Sequence, residues 1–184
     1  MQISVEQVLL EVARNSILSE FDDAFYIDKD KLLEKYPVLK EQRACFVTLN
    51  LNGRLRGCIG SLVAHRSLLD DVISNAYNAA FSDMRFDRLT PMEFKNIHIE
   101  LSVLTPAVKL PYENENDLRD KIKVNEHGVI LELDGKRATF LPQVWEQLPT
   151  FDEFFTQLSK KAGFTKNCLE NKPTIYTYTA IKIK

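Results

Sequence analysis

The segment Leu55–Ser61, with the sequence LRGCIGS, brings together residue types that can do chemistry. Cys58 directly follows Gly57, with Arg56 two residues before it and Gly60 two residues after it. A guanidinium or several backbone N–H groups beside a thiol lower its pKa and make it a nucleophile. The segment therefore predicts a catalytic Cys58 with Arg56 as an anion clamp, or a small buried cysteine at a bulge or close backbone approach.

A cysteine nucleophile also needs a general base, and the candidates are the three histidines of the chain. These are His65, His98 and His127, and the local sequence puts none of them beside Cys58. His127 stands before Gly128, a glycine that we expect to adopt a positive φ angle. We predict that His127 is either a general acid or base in a ligand site or the cap of an element.

The segment SDMRF adds Asp83 and Arg85 just after the predicted C-terminus of a helix. Arg85 can either contact a ligand or satisfy the last carbonyl groups of that helix. Arg56 also has an alternative interpretation, an ion pair with Asp83 or Glu100 on a sheet face. Because an anion-binding guanidinium needs partners that orient it, the two interpretations of Arg56 are compatible.

Two more residues are candidates for ligand contacts. Glu100 shares one face of a predicted strand with His98, and this H-x-E spacing suits a metal ion but lacks a third ligand. The solvent face of a sheet is the alternative for both. Gln143 lies in the first turn of a predicted helix, LPQVW, from which it can reach a ligand.

Composition and motifs exclude several classes of function. The 24 basic and 26 acidic side chains give a net charge of -2, which disfavours binding to nucleic acid or to an anionic membrane. Three cysteines without a CxxC pattern predict no disulfide framework and no zinc or iron–sulfur site, and they favour a cytoplasmic location. The nucleotide-loop, zinc-protease and serine-hydrolase motifs are also missing, so we predict no metal and no cofactor.

The elements that position these residues follow from periodicity and turn signals. Ser4 and Gln7 form a capping box before a helix that extends to about Ser19 and reads as amphipathic, without the basic start of a secretory signal. The strand 45–51, the turn Asn52-Gly53 and the return strand 54–63 form a hairpin. A helix with a stripe of small residues follows, up to about residue 82, and then a short helix after Thr90 and a strand over 96–104.

The second half of the chain repeats this order without repeating the sequence. A hairpin over 129–141 turns at Asp134-Gly135, helices begin at Pro142 and after Thr150, and Gly163 stops the second of them. A final strand covers 175–183. We therefore predict one α+β domain over residues 1–184, in two lobes related by internal duplication that share a mostly antiparallel sheet.

Five blocks occur in a recognisable order, namely FVTLNLNGRLRGCIGSL, NAYNAAFSDMRFDRLTPMEF, IHIELSVLTP, HGVILELDGKRATFLPQVW and KKAGF. With these blocks the chain resembles the AmmeMemoRadiSam system protein A family, which carries the AMMECR-type domain. The resemblance extends from about Cys45 to near the C-terminus, and LRGCIG is its hallmark.

The resemblance implies a compact α+β domain in two lobes with a cleft between them. It implies that the cleft binds a small molecule or anionic ligand through Arg56, Cys58, Asp83, Arg85 and Glu100, and that radical-SAM and Memo-like proteins are partners. It implies no particular reaction. The alternatives are a non-catalytic protein-interaction module and, with less support from the charge, a nucleic-acid-associated factor.

Overall fold

The computed structural model of the chain describes residues 4–184, which form an α+β fold as predicted. Six helices are present in these residues: α1 (Val5–Leu18), α2 (Lys29–Lys35), α3 (Leu68–Phe81), α4 (Pro91–Phe94), α5 (Glu115–Lys121) and α6 (Phe151–Lys161). The strands are β1 (Cys45–Leu51), β2 (Arg54–Gly60), β3 (Ile97–Leu104), β4 (Val108–Lys109), β5 (Gly128–Leu133), β6 (Lys136–Phe140), β7 (Thr174–Tyr178) and β8 (Ala180–Ile183). Short 3-10 helices cover Pro37–Lys40, Pro142–Glu146 and Leu169–Asn171.

The strands form two four-stranded sheets, in the orders β2-β1-β3-β8 and β4-β7-β5-β6. The predicted single shared sheet is therefore wrong. Each sheet has a hairpin at one edge, β1-β2 in the first sheet and β5-β6 in the second. The first strand of each hairpin also pairs with the next strand along the chain, β1 with β3 and β5 with β7. The topology of the two halves is thus duplicated, as the repeated order of elements predicts.

The fourth strand of each sheet comes from the other half of the sequence. β4 follows β3 along the chain but pairs with β7, and β8 follows β7 but lies beside β3. The sequence predicts one strand over 175–183, and the structure has two strands there, in different sheets. The break falls at Thr179, whose N–H donates to Thr105 Oγ1 at 2.9 Å.

The chain divides into two compact units, each with its own apolar core. The first comprises the chain up to Leu104 together with Ile181–Lys184, and α1 and α3 pack on its sheet. The second comprises Thr105–Ala180, and in its core the rings of Trp145 and Phe154 stack at 3.6 Å. The candidate residues of LRGCIGS and SDMRF all lie in the first unit.

The local signals in the sequence are confirmed where they concern turns and caps. Asn52 and Gly53 have φ angles of 52° and 74°, as a hairpin with a primed turn requires, and Asp134 and Gly135 repeat this geometry. Capping boxes begin α1 at Ser4 and α4 at Thr90.

The stripe of small residues on α3 lets β2 approach the helix closely. A Cβ atom on Gly57 would lie 2.1 Å from the carbonyl oxygen of Ala79, so no residue but glycine fits there without movement of the backbone. Ala76 and Ala80 are also buried on this helix. This close contact sets the distance between β2 and α3 at Gly57.

None of the helices in residues 4–184 combines the length and the apolar composition that a membrane span requires.

Candidate functional site

A bulge in the hairpin sets the position of Arg56. Leu49 pairs with Gly57 and Asn50 pairs with Leu55, so Arg56 has no partner on β1. An extra residue of this kind breaks the ladder locally and turns the strand. The glycines of this segment predict a bulge or a close backbone approach. The structure has a bulge, and the extra residue is Arg56, directly before Gly57.

Arg56 is held by Glu93 of α4 and by the connector between α3 and α4. Its Nε donates to Glu93 Oε1 at 2.8 Å, and its Nη2 donates to Glu93 Oε2 at 3.1 Å and to the carbonyl oxygen of Asp87 at 3.0 Å. The prediction of an ion pair with Asp83 or Glu100 is therefore wrong. Hydrogen bonds from Arg56, with smaller contributions from Thr90, lower the pKa of Glu93 to about 2.

Asp83 and Arg85 hold the backbone of Cys58 rather than an open ligand site. β2 is an edge strand, and on its open side the N–H of Cys58 donates to Asp83 Oδ2 at 2.9 Å. Arg85 Nη2 donates to the carbonyl oxygen of Cys58 at 3.1 Å. The two side chains thus satisfy both backbone groups of Cys58 and cover the edge against pairing with another chain.

Asp83 and Arg85 also bind each other through two parallel hydrogen bonds, from Nε to Oδ1 at 2.9 Å and from Nη2 to Oδ2 at 2.7 Å. Asp83 is buried, and the hydrogen bonds from Arg85 hold the pKa of its carboxyl well below the usual range despite that burial. Arg85 donates to no carbonyl of α3 in the described residues, so the interpretation as a helix cap is wrong.

The thiol of Cys58 is half-buried on the face of the sheet that points away from α3. Its sulfur lies 3.4 Å from Thr48 Oγ1, and Thr48 also pairs across the sheet with Glu100. Within residues 4–184, no hydrogen bond joins the sulfur of Cys58 to a histidine. A base that would activate the thiol is thus missing from its contacts in that part of the chain.

Glu100 has a different set of partners on the same face. Asn50 Nδ2 donates to Glu100 Oε1 at 3.4 Å, and Lys184 Nζ lies 3.5 Å from the same oxygen. His98 lies opposite Asn50 and is exposed. In the described residues no group of three or more His, Cys, Asp or Glu side chains could hold a metal ion.

Arg56, Arg85 and Arg88 line one pocket of about 550 Å³, which we call the Arg56 pocket. Its other lining residues are Met84, Phe86, Asp87, Thr90 and Glu93. The guanidinium carbons of Arg56 and Arg85 lie 5.8 Å and 5.5 Å from the centre of the Phe86 ring, within the range of cation–π attraction.

Each guanidinium in the Arg56 pocket is held on one side and has donors left over. Arg85 uses its Nε and Nη2, and Arg88 uses its Nη2 for an ion pair with Glu20. The Nη1 atom of Arg56 is buried and has no hydrogen-bond partner in residues 4–184. Five N–H groups on a guanidinium form a fixed fork, so the occupied side orients the free one.

The glycines of LRGCIGS serve close packing within the protein. Neither Gly57 nor Gly60 has a positive φ angle. A Cβ atom on Gly60 would lie 2.3 Å from the ring of Phe46, which covers it, as Ala79 covers Gly57. Both glycines were predicted to contact a ligand, and their contacts in the structure are with protein atoms.

His127 and Gln143 belong to the second unit. His127 Nδ1 accepts the N–H of Lys123 at 3.2 Å, and burial, with Lys123 nearby, lowers the pKa of its imidazole. Gln143 is exposed in the 3-10 helix Pro142–Glu146. Gly128 lies in β5 with the ring of Tyr178 against it and does not have a positive φ angle, so that prediction is wrong.

A buried polar cluster at the end of LRGCIGS was missed from the sequence. Asp71 is 1% exposed, and its carboxylate accepts hydrogen bonds from the Cys45 N–H, Ser61 Oγ, Arg66 Nε and Asn75 Nδ2. Asp71 follows Asp70 in the first turn of α3, where an acidic residue is ordinary, so nothing in the sequence signals that Asp71 is buried. Burial, with Asp71 nearby, raises the pKa of the Cys45 thiol.

Glu93, Arg88 and Phe86 were missed as pocket residues. The sequence predicted Glu93 only as the last residue of the capping box that begins at Thr90. The structure confirms that capping role, since Thr90 N–H donates to Glu93 Oε2. The bulge that turns Arg56 toward Glu93 has no sequence signal precise enough to pair the two.

Comparison with known proteins places the chain in a family. The AMMECR1 family model matches residues 10–183. A protein of Methanothermobacter thermautotrophicus is 36% identical over 149 residues, covering 78% of this chain and 76% of that protein. A protein of Sulfurisphaera tokodaii is 36% identical over 188 residues, covering 95% of this chain and 80% of that protein.

A solved structure is similar as well. The crystal structure of the uncharacterized protein PH0010 from Pyrococcus horikoshii superposes with a TM-score of 0.73 at 31% sequence identity, covering 95% of this chain and 88% of that one. The match of the family model extends over most of the chain and includes both units. The chain belongs to the AMMECR1 family.

Proposed function

We propose that the protein binds a single carboxylate or phosphate group in the Arg56 pocket, and that the LRGCIGS hairpin exists to hold Arg56 there. The observation that carries this proposal is the buried Nη1 of Arg56, a charged donor without a partner in residues 4–184. Buried donors in native proteins nearly always have partners, and Arg56 lines the pocket, so we infer that a bound group supplies the acceptor for Nη1.

The surroundings of Arg56 support recognition of an oxyanion. Glu93 occupies the Nε and Nη2 side of the guanidinium and fixes its plane. Arg85 and Arg88 are more exposed, with side-chain exposures of 55% and 57%, and each keeps N–H donors that its carboxylate partner does not use. Planar forks in fixed orientations suit carboxylate and phosphate better than they suit neutral ligands.

Cys58 has two separable roles in this proposal. Its backbone holds Asp83 and Arg85 in place, and its sulfur stays a predicted nucleophile. The rate of Cys58 alkylation against pH, measured beside the buried Cys45 and Cys168, tests the second role. A reactive thiolate alkylates faster than a free thiol at neutral pH, and an inert one does not.

The proposal extends to partners and location through the family resemblance. We infer that the protein acts in the cytoplasm with radical-SAM and Memo-like proteins, and that the anionic group belongs to a molecule that these proteins handle. Purification of the protein with each candidate partner, at physiological salt, tests this part independently of the pocket.

The experiment for the pocket is an NMR titration with inorganic phosphate and with succinate, observing the arginine Nε–H signals. We expect the signals of Arg56 and Arg88 to shift and saturate. Arg88→Gln removes one guanidinium, which contacts Glu20 through an ion pair and the ring of Phe81 at 4.8 Å, and we expect about tenfold weaker binding. Arg56→Lys keeps the charge but loses the fork, and we expect a loss of the same order.

Arg43→Gln is the matched control, because Arg43 also has a carboxylate partner, Glu41, but does not line the pocket. Equal shifts at Arg43 and Arg56, or equal affinity of wild type and Arg88→Gln for both anions, would refute the proposal.

A further inference from the structure

One large apolar side chain in the lining of the Arg56 pocket is open to solvent, and two more stand next to lining residues along the chain. Met84 lines the pocket and is 100% exposed, Met92 is 77% exposed, and Leu55 is 44% exposed. Leu55 directly precedes Arg56, and Met92 directly precedes Glu93, so both flank residues of the pocket along the chain. A large apolar side chain that is fully exposed at a charged pocket is a contact that association with a partner would bury.

The backbone of Met84 belongs to a turn that is fixed by hydrogen bonds to Asp83. Phe86 N–H donates to the carbonyl oxygen of Asp83 at 3.0 Å, and Arg85 N–H donates to Asp83 Oδ1 at 3.2 Å. Asp83 is itself fixed to the backbone of Cys58. Since the backbone that carries Met84 is already ordered, binding through this residue costs mainly the entropy of its side chain.

The charges around the pocket limit how many negative groups it can accept. Three guanidinium groups and four carboxylates lie at the pocket or pair with its arginines, so the local net charge is −1. These residues are Arg56, Arg85, Arg88, Glu20, Asp83, Asp87 and Glu93. A polyanion such as nucleic acid needs an excess of positive charge along its path. One carboxylate, bound through free guanidinium donors, does not.

We propose that the Arg56 pocket is a docking site for a protein segment that presents one carboxylate beside a large apolar side chain. This rests on the proposed function, since the carboxylate is the anionic group of that proposal. The carboxylate of the segment binds the free donors of the arginines, and its apolar neighbour packs on Met84. Arginine, methionine and aromatic residues together are the composition that protein–protein interfaces favour.

The test begins with selection of peptides from a random library displayed on phage, using the wild-type protein. We expect the selected peptides to share an Asp or Glu next to Leu, Met, Phe or Trp. A double-mutant cycle then combines Met84→Ala with replacement of the apolar peptide residue by glycine. Each change alone is expected to weaken binding about tenfold, and the two together no more than either alone, because they remove the same contact.

Val63→Ala is the control, since Val63 is 56% exposed but does not line the pocket. Additive losses in the cycle, or selected peptides that lack the acidic and apolar pair, overturn the docking proposal. Stronger binding of a single-stranded oligonucleotide than of the peptides overturns it as well. If phosphate and succinate bind but no such peptide is selected, the docking proposal falls and the anion site stands; if nothing binds, both fall.

Discussion

Gly57→Ala is the substitution whose cost follows most directly from the structure. The new Cβ atom would lie 2.1 Å from the carbonyl oxygen of Ala79, while ordinary contacts begin at 3.4 Å. The strand β2 and the helix α3 must therefore separate by about 1 Å, because neither atom belongs to a side chain that can rotate away. Replacing a glycine in a strand by alanine otherwise raises the free energy of unfolding by about 0.5–1 kcal/mol, which offsets part of this cost.

We expect a net loss of about 2–3 kcal/mol in the free energy of unfolding, at the upper end of the cost of overpacking. Urea unfolding followed by far-ultraviolet circular dichroism measures it, and amide hydrogen exchange at Cys58 shows whether the loss is local to the hairpin. Ala79→Gly should not rescue the variant, because the obstructing atom is the backbone oxygen.

Gly60→Ala provides the matched comparison. Its Cβ atom would lie 2.3 Å from the ring of Phe46, and this ring is half-buried and can move. We expect a smaller loss, about 1 kcal/mol, and we expect it to vanish in a Phe46→Ala background. Wild-type stability of Gly57→Ala, or rescue of Gly57→Ala by Ala79→Gly, would contradict the packing argument.

Three further predictions concern the charged groups. Asp83→Ala leaves the Cys58 N–H and Arg85 without their partner, and it should cost about 1–3 kcal/mol and speed amide exchange at Cys58; unchanged exchange would exclude the edge-capping role. The pKa of Glu93 is lowered to about 2, so its ion pair with Arg56 stabilises the fold fully above the ordinary carboxyl pKa and is lost as the pH falls toward 2. Between pH 5 and pH 3 the free energy of unfolding of Glu93→Gln should therefore fall by about 2 kcal/mol less than that of wild type, and parallel losses would contradict this account. Asp71→Ala leaves the Cys45 N–H and Arg66 without their acceptor, and it should lower the free energy of unfolding in urea by about 3–5 kcal/mol. A loss below about 1 kcal/mol would contradict the account of that cluster.

The sequence predicts what depends on neighbours along the chain. The turns at Asn52-Gly53 and Asp134-Gly135 follow from dipeptides that favour positive φ angles, and the caps at Ser4 and Thr90 follow from side chains three residues apart. These interactions need no knowledge of the tertiary fold, so residue type and spacing are enough.

The partner of Arg56 illustrates what the sequence could not predict. Glu93 is 37 residues away, and its approach depends on the bulge in β2 and on the packing of the connector after α3. The two predicted partners, Asp83 and Glu100, are also carboxylates that lie far from Arg56 along the chain. Choosing among them requires the register of the strands, which a single inserted residue changes.

The position of β8 has a consequence for the order in which the chain can fold during synthesis. The outer edge of β3 has no neighbour until Ile181–Lys184 have left the ribosome, because these residues supply the fourth strand of the first sheet. Until then the nascent first unit presents an open strand edge, which is a template for association with other chains. A fragment that ends at Leu104 would keep that edge open, so the first unit is complete only once Ile181–Lys184 can pair with β3.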